Sequence, residues 1–244
     1  MTNNDKTVHI TLQGKGGIGK TLVAALLAQY LKQNSTEVHC YDADPVNTSF
    51  EGFTKLEAKR VSLMHDGEIN ARVFDQVFEE LVTLNHSSVI DCGASSFVPL
   101  VKYLKDNETY KFLENHGKKT IIHCPIAGGQ SLPETLSGFA QLIEELPPVV
   151  KVVVWLNEYF GLIESKGIHF NDMKVAVNNA DRLAGIILLA KQTEQTFGTD
   201  IREMLTRKLT FDELGESDQF GLMAKQRLVI FKRVVFDQLD ALEL

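Results

Sequence analysis

Cysteine, proline and tryptophan are scarce in this chain: 244 residues hold three cysteines, six prolines and a single tryptophan. Cys40, Cys92 and Cys124 stand far apart and form no C-x-x-C pair, which argues against a disulfide framework. Cys40 and Cys124 lie in apolar, strand-like stretches and read as small buried hydrophobes. No run approaches about 18 consecutive apolar residues. The opening MTNNDKTVHI carries no apolar stretch or cleavage site, so a cytoplasmic protein without stable membrane insertion is expected. Positive charge is not in excess either. The 25 Lys and Arg against 32 Asp and Glu give a net charge of −7. That balance disfavours a constitutive, strongly basic nucleic-acid binder, although it leaves room for a local basic patch. Repeats, low-complexity runs and linkers are missing as well, so residues 1–244 are expected to form a single domain.

What is present is an apolar fraction of 44%, ample for one core. There is also one segment of high information content. Residues 14–21, Gly-Lys-Gly-Gly-Ile-Gly-Lys-Thr, satisfy G-x-x-x-x-G-K-[ST], the phosphate-binding loop. Val8-His9-Ile10-Thr11-Leu12 alternates and is β-branched, so it predicts a strand entering the loop. The stretch 21–32 has apolar residues at helical spacing and predicts the helix leaving it. Glycines let successive N–H groups turn toward phosphate oxygens, and the helix N-terminus adds partial positive charge. Gly14, Gly16, Gly17, Ile18, Gly19 and Leu22 would form the cradle. Lys20 would reach the β and γ phosphates, and the Thr21 hydroxyl would bind Mg²⁺. Lys15, directly after the first glycine, is an addition that the common loop does not require.

Beyond the loop, strands and helices alternate, which predicts an α/β fold with a mainly parallel sheet and helices on both faces. Strands are expected at 38–41, 59–64, 88–90, 120–124 and 183–189, with a central one at 149–156. Helices are expected over 70–84, 132–146 and 223–242. Nucleotide sheets place their chemistry at the carboxyl ends of parallel strands. Asp91, after Val89-Ile90, is the natural Walker B acid, expected to hold Mg²⁺ through its water shell, although an aspartate there also suits a turn or helix cap. Asp42 and Asp44 form another acidic pair. One would contact magnesium through water while the other orients the attacking water, and Asp44-Pro45 also suits a turn.

Lys-Gly-Gly-Ile-Gly-Lys-Thr, then Asp-Ala-Asp-Pro, then an apolar strand ending in aspartate, resembles the ParA/MinD class of deviant Walker A P-loop ATPases. More narrowly, residues 12–17 (Leu-Gln-Gly-Lys-Gly-Gly), 42–47 (Asp-Ala-Asp-Pro-Val-Asn) and 91–97 (Asp-Cys-Gly-Ala-Ser-Ser-Phe) resemble the TraL group. That group comprises plasmid-encoded accessory proteins of conjugal transfer, related to StbC-type plasmid-stability ATPases. Val154-Trp155-Leu156-Asn157 and the C-terminal helix containing Arg227 extend the resemblance over nearly the whole chain. It implies that Lys15 crosses a dimer interface to touch the partner's ATP, a cation supplied in trans. It also implies that Asp44 positions water and that Asp91 and Asp42 stand on the magnesium side. Asn157 becomes a candidate for the adenine, although a strand-end turn explains it equally. The function implied is a slow, Mg-dependent ATPase acting as a switch, an ATP-sandwich homodimer serving plasmid transfer, stability or positioning.

The sequence departs at two places from the patterns of the proteins it resembles. Partitioning ParA proteins usually carry Pro-Pro after the acid where Cys92-Gly93 stands here. MinD-like proteins end in a basic amphipathic anchor, whereas here Asp237, Asp240 and Glu243 oppose anionic lipid and the last helix is expected to pack on the core. A GTPase would need Asn-Lys-x-Asp, and the nearest match, Asn178-Asn179-Ala180-Asp181, lacks the lysine. An iron–sulfur carrier of the nitrogenase-iron-protein type would need bridging cysteines. A small-molecule kinase, and an interaction protein that binds nucleotide with little hydrolysis, remain as alternatives. Arg202, Arg207, Lys208, Lys225, Arg227, Lys232 and Arg233 make the C-terminal third basic. They would suit either a non-specific DNA track or solvated surface, and a plasmid-encoded protein is the other partner considered.

Overall fold

The computed structural model describes residues 6–34, 37–65, 68–70 and 72–242; Glu243 and the first five residues of the N-terminal stretch lie outside them. The principal sheet has seven strands: β1 (Thr7–Thr11), β2 (His39–Ala43), β3 (Lys59–Arg60), β4 (Ser88–Cys92), β5 (Lys119–Ala127), β6 (Lys151–Asn157) and β7 (Leu183–Leu189). Their order is β7-β6-β5-β1-β4-β2-β3, and every pairing is parallel. Every residue of β1 and β4 is buried, as a strand covered on both faces requires.

Helices cover both faces, as the alternating pattern implied. On one side α1 (Lys20–Asn34), α7 (Thr199–Thr206) and α8 (Leu222–Asp240) pack through Leu27, Met204, Leu228 and Val235 onto Val89, Val153 and Trp155. On the other, α2 (Arg72–Thr83), α3 (Phe97–Asp106), α4 (Thr109–Asn115) and α5 (Leu132–Glu145) pack through Phe78, Leu104, Leu113 and Phe139 onto Ile10, Ile90, Ile122 and Val154. A one-turn helix, α6 (Lys174–Val177), precedes β7. Two short antiparallel ladders, Met64–His65 with Glu68–Ile69 and Glu164–Ser165 with Ile168–His169, stand apart from the main sheet.

The elements differ from the sequence reading in three ways. The apolar run 149–156 is the strand next to the edge, and β1 takes the middle of the order. Its apolarity reflects helices on both faces, which a strand near an edge also receives. The stretch 59–64 contributes only Lys59–Arg60 to the main sheet. Helices α3, α4, α6 and α7 had no counterpart in the sequence reading. Helix α8 buries Leu228, Phe231, Val235, Phe236 and Leu239, so it is a core helix as expected. Among the described residues no helix is long and apolar enough to cross a membrane. The three cysteines are free and buried.

Candidate nucleotide site

The loop begins where β1 ends, at the carboxyl edge of the sheet. Leu12 continues the ladder by donating its N–H to the His123 carbonyl at 2.9 Å. Gln13 is buried, and its amide donates to the Thr135 carbonyl (3.0 Å) and the Pro125 carbonyl (3.3 Å) while its Oε1 accepts the Gly14 N–H (2.8 Å). A fully satisfied buried amide therefore fixes the loop's entry. Gly138 of α5 makes room for it, since a Cβ there would lie 2.0 Å from the Gln13 Oε1. Gly17 and Gly19 have φ of 72° and 100°, a region that favours glycine. Gly14 lies against the Phe97 ring, and Ile18 is buried.

Lys20 opens α1 and is 7% exposed, with its ammonium donating to the Lys15 carbonyl at 2.7 Å. Burial pushes its pKa down, opposed by the carboxylates of Asp91 and Asp44. Lys15 points elsewhere: its ammonium lies 2.8 Å from the Glu134 carboxylate of α5, with side chains 36% and 60% exposed.

The three aspartates occupy distinct environments. Asp91 sits in β4, in register with Thr11 of β1 and Asp42 of β2. Its carboxylate accepts from the Thr21 hydroxyl (2.6 Å) and the Thr11 hydroxyl (2.8 Å). Complete burial pushes its pKa up to about 6, with those two hydroxyls acting the other way. Asp42 is also fully buried. One of its oxygens accepts the N–H groups of Phe50 and Glu51, both at 2.9 Å, and the other accepts that of Asp44 at 3.2 Å. Asp42 thus braces the 44–51 segment, and burial raises its pKa. Asp44 accepts the N–H groups of Val46 (2.9 Å) and Asn47 (3.1 Å), the turn suggested by Asp44-Pro45. Gly93 admits this turn, since a Cβ there would lie 2.5 Å from the Asp44 Oδ1.

Two cavities flank the loop. A cavity of about 480 Å³ is walled by Gly16, Lys20, Thr21, Asp44, Asn47 and Ser95, among others. A larger one of about 610 Å³ is walled by Leu22, Asn157, Tyr159, Leu189, Arg202 and Phe231, among others. Asn157 is nearly buried; its amide donates to the Ile18 carbonyl (3.0 Å) and its oxygen accepts the Tyr159 N–H (3.1 Å). It is therefore both the strand-end turn residue and a wall of the larger cavity. The residues present fit a magnesium nucleotide. Glycine backbone forms the cradle, a buried ammonium stands in it, and Thr21 and Asp91 bring together the hard oxygen donors magnesium takes.

The nearest match to a guanine motif lies far from this edge. Asn178–Asp181 precedes the amino end of β7, whereas the site gathers at carboxyl ends. The basic residues of the C-terminal third are largely engaged within the fold. Arg227 pairs with Asp200 (2.5 Å) and Arg207 with Glu203 (2.8 Å), while Arg202 approaches Glu194 (3.6 Å). Lys232 lies over the Phe211 and Phe236 rings and Lys225 donates to the Gly215 carbonyl. Sequence reasoning assigned no role to Gln13, Gly93, Gly138 or Glu134. The two glycines had no local signal, because each answers a side chain distant in sequence.

Residues 10–223 match the family described as the CobQ/CobB/MinD/ParA nucleotide binding domain. Two curated relatives, each named Protein TraL and from Escherichia coli, are 43% and 41% identical over 234 and 233 residues. Each alignment covers 96% of this chain and 97% of the relative. Among solved structures, the MinD cell division protein of Aquifex aeolicus, alone and in a MinC:MinD complex, superposes with a TM-score of 0.52 at 15% identity. Those superpositions cover 93% of this chain and 95% and 94% of the MinD chains. At that identity the likeness concerns the fold.

Proposed function

We propose that this chain, which belongs to the CobQ/CobB/MinD/ParA nucleotide-binding family and to its TraL group, is an ATP-binding, slowly ATP-hydrolysing switch that works as an ATP-sandwich homodimer. The observation that carries the reading is the shared cavity of Lys20, Thr21 and Asp44, with the Thr21 hydroxyl bonded at 2.6 Å to buried Asp91. The backbone of Gly14, Gly16, Gly17, Ile18, Gly19 and Leu22 holds the phosphates, and Lys20 neutralises their charge. Thr21, Asp91 and Asp42 would hold Mg²⁺, which when bound would screen the charge that develops on the phosphates. Asp44 orients the attacking water, and Asn157 faces the base. Lys15 leaves Glu134 and reaches the partner copy's ATP, which makes the nucleotide part of the contact between subunits.

Switch ATPases act by remaining in the ATP state, so slow turnover suits this role. From the TraL resemblance we infer that the role is cytoplasmic and accessory to plasmid conjugal transfer, stability or positioning, with a plasmid-encoded protein as partner. A second reading, nucleotide-controlled interaction with little hydrolysis, is favoured by the Lys15–Glu134 contact, which holds the trans cation away from the phosphate cavity in the single chain.

Phosphate release from Mg-ATP by the wild type, Lys20→Ala and Asp44→Ala tests the proposal. Asp44→Ala should lower turnover by about 100-fold while keeping nucleotide binding, and Lys20→Ala should lose binding. Unchanged turnover in Asp44→Ala would remove its role, and a wild type that binds without turnover would favour the second reading.

A further inference from the structure

A third lysine stands at the site, outside the phosphate-binding motif. The chain leaving α7 turns at Lys208, whose φ of 57° is uncommon for a residue other than glycine. Its N–H donates to the Leu205 carbonyl at 3.2 Å, which ends the helix there. The side chain runs along Gly52, where a Cβ would lie 3.1 Å from the Lys208 Cγ. The ammonium lies 5.2 Å from the centroid of the buried Phe53 ring. Lys208 is partly buried, and among the described residues no carboxylate lies within ion-pair distance of its ammonium. Burial lowers its pKa, opposed by the fields of Asp91 and Asp42, the acids beside Thr21 and the 44–51 segment.

A partly desolvated ammonium without a counter-ion is unfavourable unless an anion is drawn to it. Its position identifies where that anion would come from. Gly17, Gly19 and Lys208 line both the phosphate-side and the base-side cavity. A nucleotide with its base in the larger cavity and its terminal phosphate near Lys20 must pass between them. We propose that Lys208 is a nucleotide-binding residue that grips the phosphate chain of ATP or ADP from outside the loop. The inference rests on the nucleotide reading above and adds a contact that the loop motif does not contain. Phe53 and Gly52 keep the stem in place, and the left-handed turn at Lys208 sets its direction.

The test is titration of fluorescent ATP and ADP analogues against the wild type, Lys208→Met, Lys208→Arg and Lys20→Ala, with melting temperatures of the nucleotide-free proteins. Methionine keeps the stem over Phe53 and Gly52 and removes the charge. Lys208→Met should bind nucleotide about tenfold more weakly at an unchanged melting temperature, and Lys208→Arg should recover most of the loss. An equal loss for both nucleotides places the ammonium at the α and β phosphates; a loss confined to ATP places it at the γ phosphate. Wild-type affinity in Lys208→Met, or an equal loss in Lys208→Arg, would overturn the inference while leaving the nucleotide reading intact. A wild type that bound neither analogue would overturn that reading itself.

Discussion

The ammonium of Lys15 and the carboxylate of Glu134 meet at 2.8 Å, joining the phosphate-binding loop to the first turn of α5. The lysine proposed to act on a partner's nucleotide is therefore held by its own chain. Both side chains are well exposed, so the pair is worth at most about 1 kcal/mol. Such a contact biases the lysine without locking it.

Removing that restraint should favour the dimer. Two such pairs are released per dimer, so Glu134→Gln is expected to tighten ATP-dependent self-association by up to about 25-fold, the equivalent of about 2 kcal/mol, without altering the nucleotide-free monomer. Sedimentation velocity across a concentration series with ATP measures this. Weaker association in Glu134→Gln would mean that the glutamate supports the dimer instead of competing with it.

Gly93 and Asp44 offer a second test. A methyl group at Gly93 would lie 2.5 Å from the Asp44 Oδ1 and 3.1 Å from its Cα, so the turn itself must shift. Misplacing a group that orients the attacking water by about 1 Å can cost about 100-fold in rate. Gly93→Ala should therefore slow phosphate release by about 10-fold to 100-fold while leaving nucleotide affinity within about threefold. Normal turnover in this variant would separate Asp44 from catalysis.

A pH dependence of stability follows from the buried histidines. The Trp155 Nε1–H donates to the His123 Nδ1 at 3.0 Å, so His123 carries its own proton on Nε2 and donates to the His9 Nδ1, also at 3.0 Å. His9 is then protonated on Nε2, which has no partner among the described residues. Burial lowers the His9 pKa to about 3 and that of His123 well below its usual range. In the unfolded chain both take up protons near pH 6.5, while the folded chain stays neutral. Stability from this source is complete above about pH 6.5 and is lost as pH falls toward about 3, by about 1.4 kcal/mol per pH unit for each histidine. Asp91, raised to about 6, acts oppositely: its contribution is lost as pH rises from about 4 to about 6. Comparing His9→Leu with the wild type cancels that term. Urea unfolding between pH 7 and pH 5 should show a shallower decline in the variant, by about one histidine's worth; parallel declines would contradict the assignment.

Much of this could be read from the sequence because the signals are local. The loop, the strand before it and the helix after it occupy consecutive residues, and the acids follow short apolar strands. Helix α3 also carried a signal, since Phe97, Leu100, Val101 and Leu104 are buried at helical spacing, but Pro99 and the preceding Gly-Ala-Ser-Ser obscured its start. Other features are relations between distant segments. Gln13 meets the Thr135 carbonyl, Asn157 reaches Ile18, Lys15 finds Glu134 and Lys208 lies over Phe53, and no periodicity or spacing encodes those pairs. Asn157 shows why two readings stayed open: its oxygen makes the turn and its amide holds the loop, while the side chain still walls the larger cavity.

The central claim is that ATP joins two copies through Lys15. Light scattering on Asp44→Ala, with ADP or ATP and with or without Lys15→Ala, tests it most directly. The account predicts a dimer with ATP, a monomer with ADP, and a monomer under both conditions once Lys15 is replaced. A monomer in every case, or an ATP-dependent dimer that survives Lys15→Ala, would contradict it.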